Sequence, residues 1–195
     1  NRENICLTNG VLSGLFYLLA SLLNKKDSVI LNDLSFEGFG SVIKTLGLTS
    51  VHVDIEDKKE LEKAIKKSKA KVLILNSPEN PSGKIYQKKS LLLLDSIAKK
   101  YNLLIISDEV NNQNVYLPYT FVPPSQYISS KHLVTINSFS KNYFLPGIRL
   151  GWIVAGKNVV RKIRDILSVS QVGIGYPSQV LANFIVRHID NDIKE

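Results

Sequence analysis

Short apolar runs alternate with charged, helix-length segments along most of the 195-residue chain. Most of these runs are continuous rather than alternating, which predicts strands that are covered on both faces. We expect strands at residues 5–7, 28–31, 50–55, 71–75, 103–106, 133–136 and 152–155. The intervening segments predict helices at residues 11–23, 41–46, 57–67, 87–100, 157–168 and 177–188. Strands that alternate with helices favour a three-layer α/β/α fold with a mostly parallel central sheet.

Composition limits the class of protein. With 44% hydrophobic and 22% charged residues, the chain resembles soluble globular proteins and is long enough for one domain with a sizeable core. The longest apolar run, residues 12–23, is shorter than the roughly 20 residues that a membrane span needs. No signal peptide is visible, and the single cysteine, Cys6, fits a reducing compartment. We therefore expect a cytoplasmic protein with no membrane partner, in which Cys6 is a small buried hydrophobe.

The net charge of +8 raises the question of an anionic partner. The lysines are scattered along the predicted helices, as at residues 58–67 and 88–100, which is typical of solvent-exposed helix faces. No basic run alternates with aromatic residues, so an anionic cofactor or substrate is favoured over nucleic acid. His52 has no second histidine or cysteine near it at metal spacing, and we expect an exposed strand residue rather than a metal ligand.

Polar side chains follow three of the predicted strands. Asn80, Asp108 and Lys141 each fall just past the end of a continuous apolar run. In open sheets of this class, ligands bind beyond the carboxyl ends of the strands. We therefore expect these three side chains to meet at one edge of the sheet and to form a site there.

The segment around Lys141 combines an amine with groups that suit a phosphate. A lysine amine can form a Schiff base with an aldehyde. Ser138, Ser140 and Arg149 lie nearby in sequence, and hydroxyls and a planar guanidinium suit phosphate oxygens. The turn at residues 8–10 leads from a strand into a helix, an arrangement that can also bind an anion.

The remaining candidates suit a pyridine ring. A carboxylate at Asp108 would be poorly hydrated, and a protonated ring nitrogen would stabilise its charge. Asn80 could donate to a phenolate oxygen, and Phe36 could cover the face of the ring. Together these groups predict a site for pyridoxal 5′-phosphate. The plainer interpretations are that Asp108 caps a loop or pairs with an arginine, and that Phe36 anchors its loop by burial.

Four segments carry a family resemblance. Residues 76–83 (NSPENPSG) resemble the N-P-x-N-P-T-G loop of class I/II aminotransferases, the fold-type I pyridoxal-phosphate enzymes. Residues 107–110 (SDEV) resemble that family's D-E-x-Y strand end. Residues 138–151, with SFSK followed by PGIRLG, resemble its S-x-S-K…P-G-x-R-x-G signature. The turn at residues 8–10 (TNG) is similar to its phosphate-cradling turn, so the motifs occur in the family's order over essentially the whole chain.

The resemblance implies a role for each candidate. Lys141 would form the Schiff base and move the substrate's proton, and Asp108, the second catalytic residue, would pair with the pyridine nitrogen. Asn80 would bond the ring hydroxyl. The other implied cofactor contacts are a stacking ring from Phe36 and phosphate contacts from Gly10, Val11, Ser138, Ser140 and Arg149.

The sequence departs from the family pattern at two positions. Asn111 stands where the family usually has a tyrosine that bonds the ring hydroxyl and helps to lower the pKa of the Schiff base. An amide can still donate a hydrogen bond, so Asn111 remains a candidate cofactor-binding residue, but it does not ionise. Leu34 replaces the usual proline before the stacking residue.

The resemblance also implies a domain organisation and partners. We expect residues 1–195 to form the family's large, pyridoxal-phosphate-binding domain, with the N-terminal segment and the C-terminal small domain absent. The expected assembly is a homodimer with the active site at the subunit interface.

The expected function is transfer of an amino group between an amino acid and a 2-oxo acid. One alternative is a lyase, decarboxylase or cyclase on the same scaffold, because fold does not fix the reaction. Another is the aminotransferase-like effector domain of a transcription regulator. A third, a degenerate domain that serves only as a dimer partner, is disfavoured by the intact Lys141, Asp108, Asn80 and Arg149.

Overall fold

A computed structural model describes residues 1–188, and seven strands of this part of the chain form one sheet. The strands are β1 (Ile5–Thr8), β2 (Ser28–Leu31), β3 (Thr49–His52), β4 (Val72–Asn76), β5 (Leu104–Asp108), β6 (Leu133–Ser138) and β7 (Gly151–Val154). The helices are α1 (Val11–Leu22), α2 (Glu37–Thr45), α3 (Lys58–Ser68), α4 (Lys88–Tyr101), α5 (Phe139–Asn142), α6 (Lys157–Ser170) and α7 (Tyr176–His188). Short 3₁₀ turns lie at Arg2–Asn4, Pro124–Gln126 and Pro146–Ile148.

The sheet is mixed, with strand order β1-β7-β6-β5-β4-β2-β3. Strand β7 runs antiparallel to both of its neighbours, β1 and β6. The other neighbouring pairs are parallel. The predicted mostly parallel sheet is therefore confirmed, and β1, β2, β4, β5 and β6 present their carboxyl ends to the same edge.

Helices cover both faces of the sheet. One apolar cluster packs α1, α2 and α6 against the sheet through residues such as Leu15, Phe39 and Ile163. A second cluster packs α3 and α4 against the opposite face through residues such as Leu61 and Leu91. All five residues of β4 are buried, which explains why that strand is continuously apolar up to its last residue.

Helix α7 packs outside these two layers. Its buried residues, Ala182 and Ile185, form a small cluster with Phe139 and Leu150. This contact lies against the segment between β6 and β7, which carries Lys141.

The expected burial of Cys6 and exposure of His52 are both confirmed. Among the helices of residues 1–188, none has both the length and the apolar character that a membrane crossing requires.

Two predicted boundaries differ from the observed ones by more than two residues. The strand expected at residues 50–55 ends at His52, whose partner Leu31 is the last residue of β2. Val53 and Ile55 are nonetheless buried, so their alternation continues past the last paired residue. The helix expected at residues 41–46 begins at Glu37. Gly38 and Gly40 lower the intrinsic helix propensity of its first turn, and burial of Phe39 offsets that loss.

The register of β7 brings two parts of the chain together. Gly151 pairs with Thr8 of β1 on one side and with Ser138 of β6 on the other. A Cβ atom at Gly151 would lie 2.9 Å from the carbonyl oxygen of Asn137 and 2.9 Å from the carbonyl carbon of Gly10. Only glycine lets the turn before α1 pack this closely against the sheet, and the start of α1 consequently lies beside the end of β6.

Replacement of Gly151 by alanine tests this packing. We expect Gly151→Ala to lower the free energy of unfolding by about 1–3 kcal/mol, because the added methyl group contacts backbone atoms that cannot rotate away. Urea unfolding measures the change. Gly40→Ala is the matched control, because its Cβ would meet no atom of the described residues within 4 Å, and it should leave stability unchanged or raise it by up to about 1 kcal/mol. Equal stability of the Gly151→Ala and wild-type chains would contradict the close packing.

Candidate active site

A cavity of about 290 Å³ lies at the carboxyl edge of the sheet. The last residues of β4, β5 and β6 (Asn76, Asp108 and Ser138) all line it. Every candidate predicted from the sequence lines this cavity except Gly10, which contacts the lining residue Arg149. The full lining is Val11, Leu12, Phe36, Asn76, Asn80, Asp108, Val110, Asn111, Ser138, Ser140, Lys141 and Arg149.

Asp108 is the buried carboxyl group of the cavity, with a relative exposure of 3%. The pKa of this carboxyl is raised to about 7; burial is the largest cause, and the nearby Glu109 carboxylate acts in the same direction. The backbone N–H of Val110 donates to Oδ1 at 3.2 Å and acts in the opposite direction. Within residues 1–188 the ion pairs lie elsewhere, and none involves Asp108. The loop-capping contact is therefore present, whereas the arginine partner is not.

Asn76 connects β5 to the loop that carries Asn80. Its Nδ2 donates to the backbone carbonyl of Asp108 at 3.2 Å, and its Oδ1 accepts from the backbone N–H of Asn80 at 2.7 Å. One side chain thus fixes the Asn80 loop relative to the end of β5. Asn76 was not among the predicted site residues, although its place as the last residue of a buried strand was a usable signal.

A buried carboxylate holds the same loop from the other side. Glu79, 5% exposed, accepts hydrogen bonds from Asn32 Nδ2 and from the Tyr86 hydroxyl, both at 2.7 Å. Asn32 Oδ1 also accepts from the backbone N–H of Ile55 at 3.3 Å. Burial and the Glu79 carboxylate raise the pKa of the Tyr86 hydroxyl, so it remains a donor. These contacts connect the loops that follow β2, β3 and β4.

The start of α1 and Arg149 form a cationic corner. Among residues 1–188, no side chain caps the first turn of α1, and Gly10 has a φ of 83°. A Cβ atom at Gly10 would lie 2.6 Å from Arg149 Nη2, so the guanidinium lies directly against this turn. Arg149 adopts a left-handed φ of 50° and donates from Nη1 to the carbonyl of Pro146 at 2.8 Å. A helix N-terminus beside a guanidinium is well suited to bind a phosphate group.

Lys141 lies on α5, the four-residue helix that directly follows β6. The Ser138 hydroxyl caps this helix by accepting from the backbone N–H of Ser140 at 3.3 Å. Among residues 1–188, no ion pair engages the Lys141 amine, and its side chain is exposed. The amine is consequently available to a molecule in the cavity.

The two aromatic residues at the start of α2, Phe36 and Phe39, have different surroundings. Phe39 is fully buried and anchors the segment, whereas Phe36 lines the cavity. The rings make an edge-to-face contact with centroids 5.5 Å apart and an interplanar angle of 89°. Phe36 is therefore held by Phe39 and leaves part of its surface to the cavity, where Asn111 also lies.

Comparison with known proteins decides the family. Residues 1–195 match the family model described as aminotransferase class I and II. The chain belongs to the class I and II aminotransferase family. This aminotransferase-family chain is 29% identical to an aspartate aminotransferase of Sulfurisphaera tokodaii over 177 residues, which cover 85% of the chain and 43% of the relative. It therefore spans less than half the length of that curated relative.

Solved structures agree with the family and the fold. An aspartate aminotransferase from Thermotoga maritima superposes with a TM-score of 0.83 at 29% identity, covering 93% of this chain and 50% of the other. A Clostridium difficile protein solved with bound pyridoxal phosphate superposes with a TM-score of 0.90 at 21% identity, over 100% of this chain and 53% of the other. Pyridoxal phosphate is the cofactor of the family. The buried carboxyl, the cationic corner and the available amine in this cavity fit that cofactor.

The raised pKa of Asp108 predicts an unusual pH dependence of stability. The unfolded chain loses this proton near pH 3.8, whereas the folded chain keeps it up to about pH 7. Between these values the folded state binds more protons, so the stability of the cofactor-free chain should fall as pH rises through this window. Urea unfolding across the window should show that fall in wild type and a smaller one in Asp108→Asn. Identical pH profiles for the two proteins would contradict the assignment.

Proposed function

We propose that residues 1–195 form the pyridoxal-phosphate-binding large domain of an aminotransferase that transfers an amino group between an amino acid and a 2-oxo acid. The observation that carries the proposal is the meeting of three groups at one cavity. These are the buried carboxyl of Asp108, the available amine of Lys141 and the guanidinium of Arg149. Family membership supports the same function.

Pyridoxal phosphate, when bound, supplies an aldehyde that amines attack and a ring that withdraws electrons from the substrate. Asp108 would hold a proton on the ring nitrogen of the bound cofactor, because a buried carboxylate is stabilised by a cationic donor. Asn80 and Asn111 carry amides that can donate to the ring oxygen. Phe36 lines the cavity, where it would cover a face of the ring and limit the access of water.

The phosphate group would be held at the cationic corner. Arg149 provides charge and two donors, and the backbone N–H of Val11 belongs to the uncapped first turn of α1. Gly10 allows the guanidinium to approach this turn, and the hydroxyls of Ser138 and Ser140 offer further donors at the cavity wall.

Lys141 Nζ carries the covalent and proton-transfer roles. It is the lysine amine of the cavity, so it supplies the nucleophile that attaches the cofactor. When it is not joined to the cofactor, the same amine would act as the general base and acid that moves the proton of the substrate carbon. The aspartate aminotransferases similar to this chain support amino-group transfer over lyase, decarboxylase or cyclase chemistry and over a regulatory effector domain.

The proposal includes a homodimer in the cytoplasm with the active site at the subunit interface. Exposed apolar side chains occur in the segments that line the cavity, including Leu12, Leu34 and Phe144, and an interface would cover such groups. The free, buried Cys6 fits a reducing compartment. Light scattering should give twice the 21.8 kDa mass of one chain, and a monomeric mass at high concentration would contradict the dimer.

Borohydride trapping tests the lysine assignment. Wild-type chain incubated with pyridoxal phosphate and then reduced should carry one covalent cofactor on Lys141, located by peptide mass mapping. Lys141→Ala should lose this label, whereas the matched control Lys131→Ala, which lies outside the cavity, should keep it. Equal labelling of Lys141→Ala would remove Lys141 from the mechanism. A 2-oxo-acid product assay over a panel of amino donors then tests the reaction type.

A further inference from the structure

Three asparagine side chains form a hydrogen-bonded bridge beside the cavity, here called the amide bridge (Asn112, Asn137 and Asn142). Asn142 Nδ2 donates to Asn112 Oδ1 at 2.7 Å and to Asn137 Oδ1 at 3.2 Å. Its Oδ1 accepts from the backbone N–H of Gln113 at 3.3 Å. Asn137 and Asn142 are almost fully buried, at 5% and 2% exposure. None of the three lines the cavity.

Each member of the amide bridge is the chain neighbour of a residue that does line the cavity. The neighbouring pairs are Asn111–Asn112, Asn137–Ser138 and Lys141–Asn142. The three pairs come from different elements: the loop after β5, the end of β6 and helix α5. The amide bridge therefore connects, from outside the cavity, the three segments that supply the amine, a hydroxyl and an amide to it.

The segments that the amide bridge connects are weakly ordered by their own local structure. Helix α5 has four residues, and a helix of that length is not stable by itself. Asn111 and Asn112 begin a long loop whose regular structure, in the part of the chain described, is one 3₁₀ turn at Pro124–Gln126. Side-chain hydrogen bonds between such segments can fix a geometry that the backbone alone leaves loose.

We propose that the amide bridge is a positioning device for Lys141, and that Asn142 is its central residue. The inference rests on the proposed function, since the position of the amine matters only if Lys141 attacks the cofactor. The bridge holds α5 against the Asn111 loop, so the amine starts close to its attacking position. A misplacement of about 1 Å in such a geometry can slow a reaction by about a hundredfold.

Substitutions at Asn112 and Asn142 can either keep or remove hydrogen bonds of the amide bridge. Asn142 donates two side-chain hydrogen bonds, whereas Asn112 only accepts one. Asn112→Asp keeps the accepting oxygen, and Asn112→Ala removes it. Asn142→Ala removes both donors. Asn4→Ala is the matched control, because Asn4 is a half-buried asparagine whose one side-chain bond, to the carbonyl of Ala155, lies at the opposite end of β1.

The experiment measures the rate at which the full 195-residue chain captures pyridoxal phosphate on Lys141, trapped by borohydride at successive times. We expect Asn112→Ala and Asn142→Ala to capture the cofactor about tenfold more slowly than wild type, or slower still. Loss of a buried hydrogen bond lowers the equilibrium population of the geometry that it stabilises about tenfold. Asn112→Asp and Asn4→Ala should stay within about twofold of wild type. A second readout is a pH titration of the loaded chain, followed by the absorbance of the bound cofactor. The pH at the midpoint of this titration should shift in Asn142→Ala and not in Asn4→Ala.

The outcomes separate the inference from the function on which it rests. Circular dichroism first establishes that each variant is folded at the assay temperature, and if Asn142→Ala is not, the Asn112 pair decides. Wild-type capture rates and pH midpoints in folded Asn142→Ala or Asn112→Ala overturn the positioning role while leaving the proposed function intact. A wild-type chain that captures no cofactor on Lys141 overturns the proposed function, and the positioning role with it.

Discussion

The carboxyl group of Asp108 lies at the end of a strand enclosed by strands on both sides, where a negative charge is poorly solvated. This desolvation is the constraint on which the site depends. It raises the pKa of the carboxyl to about 7 and favours a cationic hydrogen-bond donor beside it. The same sheet edge carries Lys141 and, through the β7 register, Arg149. Burial of the Asp108 carboxyl thus favours a ligand that carries a cationic hydrogen-bond donor and that also contacts Lys141 and Arg149.

Buried polar groups fix the loops that carry the cavity residues. Asn76 fixes the Asn80 loop to β5, and Glu79 fixes the same loop to those after β2 and β3. The amide bridge does the equivalent for the loop after β5 and helix α5. The sheet fixes the ends of the loops at its carboxyl edge, and functional residues commonly lie on such loops. The buried hydrogen bonds fix the parts of these loops that lie beyond the strand ends.

Much of the fold and the lining of the cavity could be predicted from the sequence because both leave local signals. Continuous apolar runs mark β4, β5 and β6, and the polar residue after each run marks its functional edge. The features that were not predicted from the sequence depend on contacts between distant segments or on elements too short to recognise. The first turn of α2 contains Gly38 and Gly40, and only the burial of Phe39 makes it helical. Helix α5 is too short to show periodicity. The roles of Glu79 and Asn142 depend in part on Asn32 and Asn112, which are far away in sequence, so the pattern within their own segments could not indicate those roles.

The central claim is that the Asp108 carboxyl keeps a proton on the ring nitrogen of bound pyridoxal phosphate. Nitrogen NMR of the chain loaded with cofactor labelled with ¹⁵N in the ring tests this directly, at a pH where the free cofactor's ring nitrogen is unprotonated. The account predicts the chemical shift of a protonated pyridine nitrogen in wild type and of an unprotonated one in Asp108→Asn. An unprotonated nitrogen in the loaded wild-type chain would contradict it.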